Sequence, residues 1–160
     1  MTVRTLILAL TTLTSGLSAG LFYTYFFSVM PGLGATDDRT FVTAMQSINV
    51  KILNGWFALV FVGAPLLAVV SVFLVSGTAR IWAIAAAILW VLTLIITMAA
   101  NVPLNNALAA AGAPDGIADL GQVRQQFEAA WVRWNTLRTV TAVAAFGTMV
   151  AALVTEGVRG

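Results

Sequence analysis

The stretch IWAIAAAILWVLTLIITMAA, residues 81–100, decides the class of fold, because it runs for twenty residues without a charge. As a helix rising about 1.5 Å per residue it reaches about 30 Å, the hydrocarbon thickness of a bilayer. On its N-terminal side, Ser76-Gly77-Thr78-Ala79-Arg80 is a short turn, so the apolar run before it, residues 54–75, is an antiparallel neighbour. Gly63 and Pro65 inside that run predict a kink. On the C-terminal side the uncharged stretch is expected to stop at Asn101-Val102-Pro103-Leu104-Asn105-Asn106, followed by a loop through Gly112, Pro114 and Gly116.

Two further apolar runs, residues 6–30 and 137–154, bring the expected spans to four. The first follows Arg4 as a signal peptide would, and Ser18-Ala19-Gly20 loosely suggests a cleavage site. Its apolar character continues through Phe27, past the length of about 7–15 residues usual for a signal core, and it reads as an uncleaved helix. Within it Gly16 and Gly20 form a GxxxG pair, extended by Thr12, which suits close helix packing inside the bundle or a dimer face. Pro31-Gly32-Leu33-Gly34 is expected to end this helix.

Composition agrees. Of the chain's 160 residues, 60% are hydrophobic and 9% charged, against about 25% charged in a soluble domain. A surface so poor in polar groups is solvated by lipid. Neither Cys nor His occurs, which excludes disulfides, Cys/His zinc sites, and thiolate or imidazole ligation of haem and iron–sulfur clusters. The net charge of +2 is small and its basic residues are scattered, so nothing points to nucleic acid.

Two segments outside the spans are amphipathic. In the first, residues 37–53, Phe41, Met45, Ile48 and Ile52 recur at helical spacing, with Asp37 placed to cap the start. No breaker precedes Asn54-Gly55-Trp56, so the helix is expected to enter the second span without a full stop. In the second, Asp119 and Gln122 form a capping signature, and Leu120, Val123, Phe127, Trp131 and Trp134 make a stripe that leads into the fourth span. The expected architecture over residues 1–160 is therefore all-α: an integral membrane four-helix bundle, with helices 2 and 4 extended by amphipathic segments into an extramembrane cap.

Four spans place both termini on one side. That side carries Arg4, Arg80 and Arg159 against Glu156; the capped side carries five basic and five acidic residues. The shorter segments lie with the termini, which favours a plasma-membrane protein with cytoplasmic termini.

Polar groups gather at the capped end: Tyr23 and Tyr25 from the first helix, Gln46 and Asn49 from the amphipathic segment, Asn101, Asn105 and Asn106 from the third span. The fourth helix adds Trp131, Trp134, Asn135 and Arg138, whose spacing puts all four on one face. Singly, such residues read as interfacial anchors, snorkelling side chains or caps. Together, an Arg and several Asn turned into a bundle are costly unless they pair or hold something.

The runs Asn101-Val102-Pro103-Leu104-Asn105 and Trp131-Val132-Arg133-Trp134-Asn135-Thr136-Leu137-Arg138 resemble those of the DUF1772 family, often labelled anthrone oxygenase-like. The four-span layout and the Gly-rich stretch before Tyr23 and Phe26 are similar too. The resemblance implies a membrane-embedded, cofactor-independent oxygenase acting on a hydrophobic, anthrone-like aromatic in a pocket at one membrane face. The function label belongs to fungal members that oxidise anthrones to anthraquinones.

On that implication Arg138, Asn135, Asn101 and Trp134 are the candidate catalytic residues. Trp131, Asn105, Tyr23, Tyr25 and Asn49 are the candidate substrate contacts, with no metal ligand and no cofactor. Donors among them would hold an enolate oxygen as an oxyanion site does. The base is open: Glu128 lies one turn before Trp131, Asp119 is a cap, and Tyr23 or Tyr25 lies near Arg138. The competing class is a non-enzymatic bundle that binds a lipid or small hydrophobic ligand, as a homo-oligomer or an accessory subunit of a membrane complex. A transporter fits less well, since no charged residue lies deep in any span.

Overall fold

The structure, a computed structural model, describes residues 2–158; Arg159, counted above with the termini, lies outside the described residues. Helix α1 (Val3–Thr24) passes through a π-helical turn (Tyr25–Val29) into α2 (Met30–Gly34). Helix α3 (Asp38–Lys51) is followed by α4 (Gly55–Leu74) and α5 (Gly77–Ile96). A second π-helical turn (Thr97–Asn101) joins α5 to α6 (Val102–Ala110), and a short 3₁₀ turn (Pro114–Gly116) precedes α7 (Leu120–Gly157). Four helical runs, Val3–Gly34, Gly55–Leu74, Gly77–Ala110 and Leu120–Gly157, are long and apolar enough to cross a membrane. The protein is an all-α membrane helical bundle.

The four spans form an up-down-up-down square. α1 packs on α4 and α7, α5 packs on the same two, and α1 faces α5 across the diagonal. The buried positions explain the packing. α1 buries Leu8, Thr11, Ser15, Ser18 and Phe22; α4 buries Phe61, Ala64, Ala68 and Ser71; α5 buries Ala79, Ala83, Ala86, Trp90 and Thr93. Each series alternates steps of three and four, the 3.5-residue seam of a left-handed supercoiled bundle.

Small residues dominate these seams because lipid tails are as apolar as Leu, so association depends on close packing and interhelical hydrogen bonds, worth about 0.6 kcal/mol each. Trp90 fills the middle, its indole N–H donating across the diagonal to Ser15 Oγ at 3.1 Å. Ser18 Oγ donates to the Val60 carbonyl (2.9 Å), and the Thr93 and Thr141 hydroxyls meet at 2.7 Å. Gly16 allows Phe146 of α7 to approach, since a Cβ there would lie 3.0 Å from the ring. Gly20 has open space around it and is exposed, so the two glycines do not act as one packing unit.

The amphipathic segments form the expected cap. Phe41, Val42 and Met45 of α3 are fully buried against Met30, Leu108, Phe127 and Trp131. Arg124 pins the cap: its guanidinium donates to Glu128 (2.6 Å), Asp38 (3.1 Å) and the carbonyls of Thr36 and Gly34, and lies over the Phe41 ring. Arg39 pairs with Asp115. The Asp37 carboxyl caps α3, and hydrogen bonds from the Thr40 hydroxyl and amide hold it below its ordinary pKa. That cap is therefore fully present above the ordinary carboxylate range and lost as pH falls through the depressed value.

Two expectations about boundaries are corrected. α3 and α4 are separate helices: Asn54 turns the chain and its side-chain oxygen caps α4 by accepting from the amides of Trp56 and Phe57. The third helical run does not stop at Asn101 but continues to Ala110, whereas the first ends within its expected stop, at Gly34, after passing Pro31. In both, the amide before the proline bonds five residues back, Met30 to the Tyr25 carbonyl and Val102 to the Thr97 carbonyl. The widened turn moves the preceding carbonyls out of the proline ring's way, and the helix goes on past it. Pro65 likewise sits inside an uninterrupted α4.

Ala83 is fully buried in the α5 seam. Ala83→Leu overpacks it and is expected to cost about 1–3 kcal/mol, read as a lower melting temperature of the detergent-solubilised protein.

Candidate functional site

Beneath α3 lies a cavity of about 480 Å³, walled by the end of α1, the start of α4, the second π turn, α6 and α7. Both π turns border it and supply Tyr25 and Asn101. The α7 seam brings three residues together here at steps of four and three: Trp131, Asn135 and Arg138, exposed by 2%, 1% and 8%. Trp134 is off that seam. It is half-buried, lies under the Arg133 guanidinium and does not line the cavity.

Arg138 is the centre of the site. Its Nε donates to Asn135 Oδ1 at 3.0 Å, and Asn135 Nδ2 donates to the Phe22 carbonyl at 3.4 Å. The guanidinium lies 4.6 Å from the centre of the Phe22 ring and 5.1 Å from that of Trp131. Among the described residues no carboxylate pairs with it.

The remaining candidates divide. Tyr25 packs its ring 5.6 Å from Trp131 and lines the cavity within electrostatic reach of Arg138. Asn105 Oδ1 accepts the Trp131 indole N–H at 2.8 Å, which fixes that ring. Asn101 is fully buried and donates to the Trp131 carbonyl at 3.4 Å, but its Oδ1 has no partner. Asn49, lining the cavity from α3, has a buried Nδ2 with no partner. Tyr23 is not brought to the site: it is exposed on the outer surface against Phe26 and Phe27. Of the candidate bases, Glu128 is bound to Arg124 in the cap and Asp119 caps α7, both away from the cavity.

A model described as anthrone oxygenase matches residues 51–148. The chain belongs to the anthrone oxygenase family. No curated protein and no solved structure matches it. The matched region runs from the end of α3 into α7 and contains Asn101, Asn105, Trp131, Asn135 and Arg138, whereas Tyr25 and Asn49 lie before it.

Neither motif nor spacing marked Phe22, yet its ring and its carbonyl both hold the Arg138–Asn135 pair. In the sequence it is one more apolar residue of a spanning helix. Its signal was position, one turn before Tyr25 at the end of the α1 seam.

A guanidinium kept from water by aromatic rings, with one neutral acceptor, retains donors for an oxygen of partial or full negative charge. Its burial costs several kcal/mol that no carboxylate repays. Arg138→Met keeps the shape and removes the charge. We expect an unchanged or higher melting temperature of the detergent-solubilised protein. A melting temperature lowered by several degrees would assign Arg138 to structure.

Proposed function

We propose that this protein is a membrane-embedded oxygenase that holds a flat, hydrophobic anthrone-like aromatic in the cavity, with its oxygen at Arg138. The observation that carries the reading is the unpaired, buried guanidinium at an otherwise largely apolar cavity. A cavity of about 480 Å³ lies within the usual ligand-pocket range of about 300–1,000 Å³. Phe22, Tyr25 and Trp131 supply faces for a planar ring.

The chemistry follows from the substrate. An anthrone carries a CH₂ between two aromatic rings, opposite a ketone. Loss of one proton leaves an enolate whose negative oxygen takes hydrogen bonds from the Arg138 guanidinium. The electron-rich carbon then gives an electron to O₂, and carbon radical and superoxide combine into a hydroperoxide anion that takes up a proton. Elimination of water across the C–H and O–O bonds gives the second ketone. One O₂ is consumed, one oxygen atom ends in the quinone and the other in water.

The protein's contribution is to hold the ring, stabilise the enolate and keep water from the radical pair. Among the described residues the Tyr25 hydroxyl has no hydrogen bond to tie it up, and it lines the cavity beside Arg138 as a group that can carry a proton. We assign it the transfer of the substrate proton. Asn135 and Asn105 act as positioning residues, through Arg138 and Trp131. The short segments carrying Arg4 and Arg80 support cytoplasmic termini in a plasma membrane, which sets the cavity toward the outer leaflet.

The test is oxygen uptake with anthrone by the protein in lipid vesicles. Removing an oxyanion donor generally costs about 10²–10³ in rate, and Arg138→Met is expected to fall in that range. Tyr25→Phe is expected to lower kcat with little change in KM. Anthrone binding without oxygen uptake above the protein-free rate would instead make this a carrier of such ligands.

A further inference from the structure

The cavity has one roofed end and one open side. α3 is the roof: Phe41, Val42 and Met45 are fully buried beneath it. Gln46 Nε2 ties it to α6 by donating to the carbonyls of Leu108 (2.9 Å) and Gly112 (3.0 Å). Arg124 with Asp38, and Arg39 with Asp115, hold its N-terminal end. Entry from the water phase at that end requires breaking these contacts.

The side is different. Among the residues that line the cavity, Val50, Leu53 and Met98 are 69%, 77% and 61% exposed, although all three are large and apolar. They mark a mouth between the α3–α4 break and the second π turn. Leu53 and Met98 lie the same number of residues from the α4–α5 turn at Val75–Ser76, on two antiparallel neighbours, and hence at about the same depth. Trp56, 81% exposed at the second position of α4, is placed as an interfacial Trp would be. Asn106, exposed on α6, gives the rim a polar edge on the water side.

The break at Ile52–Asn54 is what makes this mouth. Had α3 and α4 been one helix, α3 would continue the α4 axis and leave the cavity unroofed. The Asn54 cap turns the chain so that α3 crosses over the bundle end, while Leu53, at the corner, stays outside.

We infer that the ligand enters sideways from the bilayer, at the boundary between acyl chains and headgroups, through the opening bordered by Leu53 and Met98. The class of ligand is then a flat amphiphile dissolved in the membrane, its polar edge at headgroup level and its rings among the chains. This rests on the reading of the cavity as a ligand site, but it does not require that the ligand be oxidised.

The experiment reads arrival rather than turnover. Full-length protein in phosphatidylcholine vesicles is mixed, without oxygen, with vesicles preloaded with anthrone, and tryptophan quenching is followed by stopped flow. Leu53→Trp and Met98→Trp narrow the mouth, while Val143→Trp adds the same bulk at an exposed position of α7 outside the cavity lining. A barrier at the mouth slows entry and exit alike, so both rim variants are expected to slow the approach to equilibrium by about tenfold while its final extent is kept. Leu53→Ala, which widens the mouth, is expected to be as fast as the wild type or faster.

Rim variants as fast as Val143→Trp, or a Leu53→Ala slower than the wild type, would overturn lateral entry while leaving the binding site intact. No quenching by anthrone in the wild type would overturn the ligand site and lateral entry together. Quenching with no oxygen uptake would sink the oxygenase reading alone.

Discussion

Inside a bilayer a backbone amide or carbonyl has no water to turn to, so a spanning segment must satisfy its own hydrogen bonds from end to end. The other features of this protein follow from how it meets that constraint at two prolines. Pro31 and Pro103 both lie near the capped boundary, where a helix stop would leave carbonyls unpaired at the edge of the hydrocarbon. In each case a π turn that begins six residues earlier absorbs the fault. Each turn inserts one residue's worth of extra rotation, so the side chains beyond it point in directions that an unbroken α-helix would not offer. Tyr25 opens the first turn and Asn101 closes the second, and both line the same cavity. The turns that carry the two helices past their prolines thus also supply part of the site.

The second constraint is electrostatic. Arg138 sits at the depth where α7 leaves the packed core, held by two rings and one amide, with no carboxylate near enough to pair. A bundle selected for stability alone would place an apolar residue there, as it does at Ala142, Ala145 and Met149 farther along the same seam. Elsewhere in the chain, guanidinium groups are handled conventionally: Arg124 has two carboxylates and two carbonyls, and Arg39 has Asp115. The contrast within one molecule separates charges that build the cap from one that, among the described residues, has no ionic partner.

Much of this was legible in the sequence because lipid simplifies the code. Four apolar runs and two capped amphipathic segments could be read from hydropathy and helical spacing. The errors came from soluble-protein rules for breakers. Pro and Asn next to each other at 101–106 read as a stop, yet in a membrane the helix has reason to go on. Asn54 did not read as a stop, because one Asn between apolar residues carries little signal until its side chain is seen to take two amides. Trp134 was grouped with its neighbours by helical spacing, but it lies on the flank of the Trp131–Asn135–Arg138 seam, half-buried and off the cavity. Tyr23 and Tyr25 differ by two positions, and the α1 seam, continued three residues past Phe22, falls on Tyr25 and leaves Tyr23 outside.

The cavity itself could not have been read from residue types, because it results from a mismatch of lengths. α4 and α5 are each twenty residues, the thickness of the hydrocarbon, whereas α7 runs for thirty-eight and the α1–α2 and α5–α6 runs exceed thirty. Three of the four corners of the square therefore project beyond the membrane, and the fourth stops at Asn54. Space left above the end of α4 has to be filled or covered. α3 covers it without filling it: it turns Gln46, Ile48, Asn49 and Val50 toward the gap, and Asn49 is too short and too polar to fill it as a Leu would. A short corner, a roof carrying an unpartnered amide and a seam ending in an unpaired guanidinium together leave this volume. Helix lengths open it, and the side chains set on those helices decide its polarity.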